Sequence, residues 1–374
     1  MDIILRNLEE NDLTKLERFL STGFPKTSPD VWKSRFRMWW RDNPAMNIHT
    51  SRGWILENKK TEIVGFMGNV PVNFLVNGKK TTAAAAASWY VRPEVQGATS
   101  ILPVLKFVGQ KDMAVLLSTT PSKRVARMNL KTGFSRAELP YNKKEYWYVL
   151  NHRGLFNYSL KKRIQSKKVI FIIKILLFPT NIFFAGLQIL QNKRKSKASS
   201  SARICSICTR CGSSFTDLWQ NNIKENIATL YRDAENLNWL CFSEAVKDKR
   251  YLIQCNEKGS NKLLGYFIFD IKTLNNEARL MELKDAFIPI IEKETVFSLI
   301  RESINIAQQL NVHAVIFWAT DEALDRVLKK ALVIRRKSDH AYLYKPKGTN
   351  ELPSCGADKC RLVPSLLDPD RGTA

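Results

Sequence analysis

At 374 residues the chain has room for two domains and a connector, and 44% hydrophobic content with nine Trp and nineteen Phe excludes wholesale disorder. The net charge of +24 is uneven: residues 1–150 carry 23 basic and 13 acidic groups, residues 151–200 carry 11 and none, and residues 201–374 carry 25 and 22. Nearly half of the excess lies in one stretch, which argues against a nucleic-acid partner, since a groove that grips phosphates needs its charge spread along it.

Residues 3–6 read as a first strand, and Asn11-Asp12 caps a helix that sets Leu13, Leu16, Phe19 and Leu20 on one face. Ser28-Pro29-Asp30 opens a second helix, with Trp32, Phe36, Trp39 and Trp40 spaced as a core-facing stripe. Residues 63–76 and 81–91 are strand-like runs around Asn77-Gly78, and this pair favours a tight hairpin because both residues tolerate positive φ. The alanine run 83–87 has helical propensity. Its place between that turn and Arg92-Pro93 makes it a strand instead, because proline disfavours helix in the residue before it.

The segment Arg92-Pro93-Glu94-Val95-Gln96-Gly97-Ala98-Thr99-Ser100 stops the strand and opens a helix over 101–110. Backbone N–H groups at such a junction, beside a glycine that permits close approach, make an anion site without any charged side chain. Residues 113–117 form a short apolar strand, and Thr120-Pro121 reads as N-cap and first helical position. The helix runs to about Lys131, Gly133 caps its end in the left-handed region, and Phe134 returns the chain to a strand.

That order, closing on Leu130-Lys131-Thr132-Gly133-Phe134, resembles the GNAT (Gcn5-related N-acetyltransferase) superfamily over roughly residues 1–150. The resemblance implies acetyl-CoA or another acyl-CoA as co-substrate, an amine acceptor, and a pantetheine arm pairing with the second hairpin strand as far as Val91. In the family the phosphate loop carries Arg/Gln-x-x-Gly-x-Gly/Ala. Gln96, Gly97 and Ala98 open the match here; Thr99 and Ser100 offer hydroxyls as well as N–H groups, and Ile101 is expected to narrow the approach. The family's proton donor to the departing thiolate, a Tyr four residues before the Gly-Phe pair, corresponds to Asn129, which cannot transfer a proton. Either Tyr90 near the strand end serves instead, or solvent protonates the thiolate. Glu57 and Glu62 lie in the region that supplies the family's base, and residues 40–44 border its acceptor cleft.

Residues 169–190 are apolar and lie between Lys161, Lys162, Arg163, Lys167 and Lys168 on one side and Lys193, Arg194, Lys195 and Lys197 on the other. At about 1.5 Å per helical residue the run would just cross a bilayer core of ~30 Å. Lys174, Pro179 and Asn181 interrupt it, and two basic flanks choose no orientation. The expectation is an in-plane or re-entrant helix pair on anionic lipid, with a buried interdomain hairpin as the alternative. Residues 1–6 are too short an apolar stretch for a secretory signal, so the expected location is cytoplasmic and peripheral on the inner face of the membrane. Seven cysteines suit a reducing compartment. Cys205, Cys208 and Cys211 lack a fourth ligand at matching spacing, and Cys355 and Cys360 lie in a distant polar tail, so the run is expected to be strand-edge thiol with no metal.

A second α/β pattern follows: a hairpin from strands 251–255 and 263–271, a strand 281–288, a helix 295–310, a strand 312–318, a helix 321–332 capped near Thr320, and a strand 341–345. Its phosphate-loop position, 290–295, has no glycine and carries Glu292 and Glu294, and Ala331-Leu332-Val333-Ile334 replaces the Gly-Phe pair. His313 and His340 are single histidines on strand-like runs and read as structural. The expected fold class is α/β (α+β): two GNAT-like domains at 1–150 and 201–347, each a mixed, mostly antiparallel sheet flanked by helices, a connector at 151–200 and a flexible tail at 348–374. The expected function is N-acyl transfer from acyl-CoA to an amine, with an amino sugar of a lipid-linked saccharide as the favoured acceptor. A transferase similar to the FemABX family, which takes its acyl group from charged tRNA, and a non-catalytic GNAT-like scaffold are the alternatives.

Overall fold

The computed structural model describes residues 3–119, 121–137, 144–152, 154–156, 158, 202–225, 227–274, 277–332, 334–337, 342–347 and 361–362. The connector run 169–190, His340 and nearly all of the tail lie outside them. In chain order the elements are β1 (Ile3–Asn7), α1 (Leu13–Gly23), α2 (Pro29–Phe36), β2 (Gly53–Asn58), β3 (Ile63–Val76), β4 (Lys79–Val91), α3 (Leu102–Gly109), β5 (Val115–Ser118), α4 (Lys123–Lys131), β6 (Ser135–Arg136), β7 (Lys144–Val149) and β8 (Arg203–Cys208). There follow α5 (Ser213–Gln220), β9 (Ile227–Leu230), α6 (Ala234–Phe242), β10 (Arg250–Glu257), β11 (Leu263–Leu274), β12 (Ala278–Phe287), α7 (Lys293–Gln309), β13 (Ala314–Phe317), α8 (Glu322–Ala331), β14 (Ile334–Lys337), β15 (Leu343–Pro346) and β16 (Arg361–Leu362).

These form two compact units, and neither is a continuous stretch of chain. The first takes Met1–Glu138, Cys211–Lys247 and His340–Ala374; the second takes Leu139–Arg210 and Asp248–Asp339. The boundaries therefore differ from the contiguous halves 1–150 and 201–347, because two strands change places. Strand β7 inserts into the second unit's sheet between β13 and β14, and β15 inserts into the first unit's sheet between β5 and β6.

In the first unit, among the described residues, the sheet runs β1-β2-β3-β4-β5-β15-β6, with β9 on the far end of β3 and β16 on β9. Asn77 and Gly78 both sit at positive φ, +50° and +75°, so the hairpin turn expected from the sequence forms there. All fourteen residues of β3 are buried, since both faces of the sheet are covered. On one face Trp54, Met67, Ala84, Leu116 and Leu343 meet Val104 and Phe107 of α3 and Ala126 of α4. On the other, Leu16, Phe19 and Leu20 of α1 and the tryptophan stripe of α2 are buried, and a π turn at Arg37–Arg41 carries Trp39 and Trp40 on.

The second unit's sheet runs β14-β7-β13-β12-β11-β10-β8. Its interior holds Phe267, Phe269 and Phe317, packed edge to face. Two ion pairs also lie there, Arg250 with Asp270 at 2.6 Å, both buried, and buried Lys284 with half-buried Glu282 at 2.6 Å.

Three local expectations are corrected. Strand β2 was not expected as a separate element. Helix α4 begins at Lys123, capped by Ser122, whose Oγ accepts from the Val125 amide at 3.3 Å, so Pro121 precedes the helix and Thr120 falls outside the described residues. Helix α8 is capped by Asp321, which accepts from the Leu324 amide at 2.9 Å, and not by Thr320. In both cases the nearer oxygen satisfies the orphan N–H.

Gly53 lies at φ +136°, and a Cβ there would run into the Met67 carbonyl. Gly53→Ala should therefore cost about 2–4 kcal/mol. Gly109→Ala, where a Cβ meets only open space, should be neutral or slightly stabilising. A thermal unfolding scan of the two variants beside the parent checks this.

Candidate active site

The first unit's sheet opens between β4 and β5. These strands are parallel and pair only through Ala83↔Val115, Ala84↔Leu116 and Ala85↔Leu117. Strand β5 then stops at Ser118 while β4 continues to Val91, so β4 runs on for six residues beyond its last pair with β5, Ala85↔Leu117. On its inner edge β4 stays paired with β3, with a register shift between Gly68↔Ala87 and Phe66↔Tyr90. Ser88 takes φ +47° at this bulge, which turns the chain.

This end of β4 leads into the glycine loop. The Gln96 side chain folds back and donates to the Val91 carbonyl at 3.2 Å. Gly97 sits at φ +153° with nothing within 4 Å of a built Cβ. The Ser100 hydroxyl donates to the Gly97 carbonyl at 2.6 Å, so it shapes the loop and does not reach outward as expected. The amides of Ala98 and Thr99 find no acceptor among the described residues. Ile101 is turned inward against the α3 core and does not narrow the approach. Trp89 packs beside Val91, Val95 and Leu102, and its buried indole N–H has no partner among the described residues. A strand edge, two amide donors and an uncrowded glycine in sequence fit an extended amide chain that ends in a phosphate.

The proposed catalytic residues are not brought together. Tyr90 lies on the open segment of β4 with its ring against Phe19 and Phe24, and Gly23 leaves room for it. Asn129 is buried under α4 and donates to Ser118 Oγ at 2.9 Å, a bond that ties the end of β5 to the helix. Glu57 is held by Arg6 at 2.5 Å, and the same guanidinium holds Asp12 at 2.6 Å. Hydrogen bonds from Arg6 keep the Asp12 carboxyl below its ordinary value, and partial burial opposes this.

On the helical face a groove of about 340 Å³ is lined by Glu17, Lys33, Phe36, Arg37, Trp40 and Arg52, among others. Burial pushes the Glu17 carboxyl above its ordinary range. Trp40 donates its indole N–H to the Asn69 carbonyl at 3.0 Å, which fixes the groove to β3. Trp40 and Arg41 of this groove fall in the stretch 40–44 expected to border an acceptor cleft, while Glu17, Lys33 and Arg52 were not anticipated.

No protein-family model matches the sequence, and no curated protein matches it. Solved structures do. A GCN5-related N-acetyltransferase from Anabaena variabilis aligns with a TM-score of 0.55 at 13% identity, covering 92% of this chain and 72% of that one. A conserved Enterococcus faecalis protein, described as a probable N-acyltransferase, gives 0.56 at 8% identity over 92% and 73%. The N-myristoyltransferase of Saccharomyces cerevisiae, solved with bound myristoyl-CoA, gives 0.53 at 12% identity over 92% and 80%. The chain has the GNAT fold.

The second unit also has a parallel strand pair, built differently. Strands β12 and β13 are parallel and pair over Leu280↔Ala314, Met281↔Val315 and Glu282↔Ile316. Two residues after Ile316, buried Trp318 donates its indole N–H to the Leu283 carbonyl, the first carbonyl of β12 beyond that pairing. The position two residues after Leu117 in the first unit is Thr119. Helix α7 opens at Glu292, whose carboxylate is bound by Arg203 at 2.7 Å, where the first unit has the Gly97 loop. Buried Lys284 lies where the β11–β12 register shifts. Its charge, with that of Lys272, outweighs burial and holds the Glu282 carboxyl at about 2. Imidazole Nδ1 of His313 accepts from the Arg279 amide at 3.1 Å, a structural role. Among the described residues no three His, Cys, Asp or Glu side chains converge on a metal position.

Thr119→Trp would place the second unit's plug in the first. It should weaken acyl-CoA binding about tenfold or more while circular dichroism shows the fold intact. Because the folded-state pKa of Asp12 is depressed, its contribution to stability is complete above about pH 4. It is lost as pH falls through that depressed value. The thermal midpoint should drop over that acid window in the parent and change less in Asp12→Asn.

Proposed function

We propose that the first unit is an acyl-CoA-dependent N-acyltransferase. The observation that carries this reading is β4 running on past the end of β5 and directly into the Gly97 loop. A pantetheine arm is an extended chain with amide groups, and it can pair with an open strand edge as a further strand would. Its pyrophosphate then meets the Ala98 and Thr99 amides at the start of a helix. Alanines at 84–87 leave volume beside the thioester.

In the reaction an acceptor nitrogen attacks the thioester carbonyl carbon and releases its proton to solvent water, the carbon–sulfur bond breaks, and the thiolate takes up a proton from a donor that solvent then reprotonates. We assign that proton to Tyr90, the one phenol on the open segment of β4. Glu57 is a weaker base candidate than the sequence suggested, since Arg6 holds its carboxylate. The acceptor approaches on the helical face, where the groove beside Glu17, Lys33 and Arg52 offers both signs of charge to a polar amine. An amino sugar of a lipid-linked saccharide suits that groove and the basic, apolar composition of residues 151–200. Among the described residues no helix is long and apolar enough to cross a membrane.

Calorimetric titration with acetyl-CoA and with myristoyl-CoA tests the reading. Micromolar binding, about −8 kcal/mol, is expected for at least one of them, and Gly97→Trp should abolish it by blocking the loop. Tyr90→Phe should keep binding and lose about 10²-fold in turnover. Glu57→Gln should lower the thermal midpoint and leave turnover nearly unchanged, whereas loss of a general base would cost about 10²–10⁴-fold. Absence of binding heat with both thioesters would remove the basis for acyl transfer.

A further inference from the structure

Two cysteines with no part in acyl transfer face each other across the second unit's sheet. Strand β8 is an edge strand, antiparallel to β10, and its register sets Cys205 opposite Cys255. Directly opposed residues on antiparallel strands have Cα atoms about 4.5–5.5 Å apart, inside the roughly 4.4–6.8 Å that a disulfide spans. Opposed side chains leave the sheet on the same face, and these two thiols lie within hydrogen-bonding reach of each other. Cys205 is half-buried and Cys255 fully buried, so solvent reaches the pair from one side. The other cysteines of the run are placed differently. Cys208 stands opposite Leu252 and directs its thiol to the Arg210 carbonyl at 3.1 Å. Cys211 belongs to the first unit.

We propose that Cys205 and Cys255 form a two-electron redox pair, closing to a reversible disulfide between β8 and β10 under a peroxide-class oxidant and reopening with a thiol reductant. One sulfur attacks a peroxide oxygen, the oxygen–oxygen bond breaks, and water leaves a sulfenic acid behind. The second sulfur attacks that sulfur, the sulfur–sulfur bond forms, and the sulfur–oxygen bond breaks as a second water departs with the remaining thiol proton. Two thiols and one hydrogen peroxide thus yield one disulfide and two waters. The pair gives up its first proton as a unit. The bond to Cys255 and burial hold Cys205 protonated. That same bond, with the Arg203 guanidinium, favours the Cys255 thiolate against burial.

The test uses the full chain, reduced, freed of reductant and exposed to hydrogen peroxide. Intact mass should fall by about 2 Da, the two hydrogens lost, and recover with dithiothreitol. A tryptic digest of the alkylated protein should contain peptide 204–210 linked to peptide 251–258, and fragment ions should assign the link to Cys205. Cys205→Ser should lose the link and Cys208→Ser keep it, with circular dichroism showing both variants folded; the fragment ions decide the point in the parent chain alone. Thiols that stay free, a link through Cys208, or sulfinic acid on Cys205 beside an unlinked Cys255 would each overturn the pairing.

Discussion

Three backbone pairs between β4 and β5 determine where the first unit's sheet opens. Parallel strands require a crossover, so α3 must begin near the end of β4 and run back before β5 can form. The free end of the first strand and the N-terminal end of the helix then lie on the same side of the sheet. Because pairing with β5 stops at Ala85↔Leu117, the end of β4 and the helix-start amides come from one continuous segment, residues 86–100. No side chain had to be recruited from far along the sequence to create that opening. Two local features shape it: Asn129 holds Ser118 at the end of β5, and the bulge at Ser88 turns β4.

The second unit shows what the same step becomes when it is filled. There the wedge receives an indole from Trp318, the helix start already carries the Glu292 carboxylate, and the strand beside it holds Lys284 against Glu282. Buried charges of this kind are tolerated only while paired, and removing one partner typically costs about 3–5 kcal/mol. Such a wall cannot easily give way to a ligand. The corresponding wall of the first unit is alanine, which costs little to approach and has no charge to strand. The two units therefore share a topology and differ in whether their wedge is accessible, which supports placing acyl transfer in the first.

Much of this was legible locally. Asn77-Gly78, Gly133 and Arg92-Pro93 each impose a backbone conformation on their own few residues, and the hairpin, the helix end and the strand stop follow directly. Strand β2 was not legible, because its four buried residues in a row carry no period that separates a strand from a short helix. The loop and strand proposed as the site, Val91 to Ser100, were legible as backbone. The individual side chains were not. Glu57 looked free because its partner, Arg6, lies 51 residues away, and nothing marked out Trp318 at the end of the strand 312–318 because the carbonyl it binds is 35 residues back. Ile101 faces the core because of how α3 sits on the sheet, which no local pattern encodes.

The exchange of β7 and β15 has the same origin and changes what a domain means here. Sequence order suggested that the first 150 residues would fold around their own core. Yet Leu343 of β15 is fully buried in the core beneath α3 and α4, and it pairs with Ser118, the residue that ends the opening. Lys345 on the same strand donates to the Thr132 carbonyl at 2.6 Å, at the end of α4. Without that strand β5 would present a bare outer edge, and the helix whose Asn129 anchors Ser118 would lose both packing and a hydrogen bond. The geometry of the opening thus depends on a segment that follows it by more than two hundred residues, and the smallest piece of this chain that can hold the site includes β15.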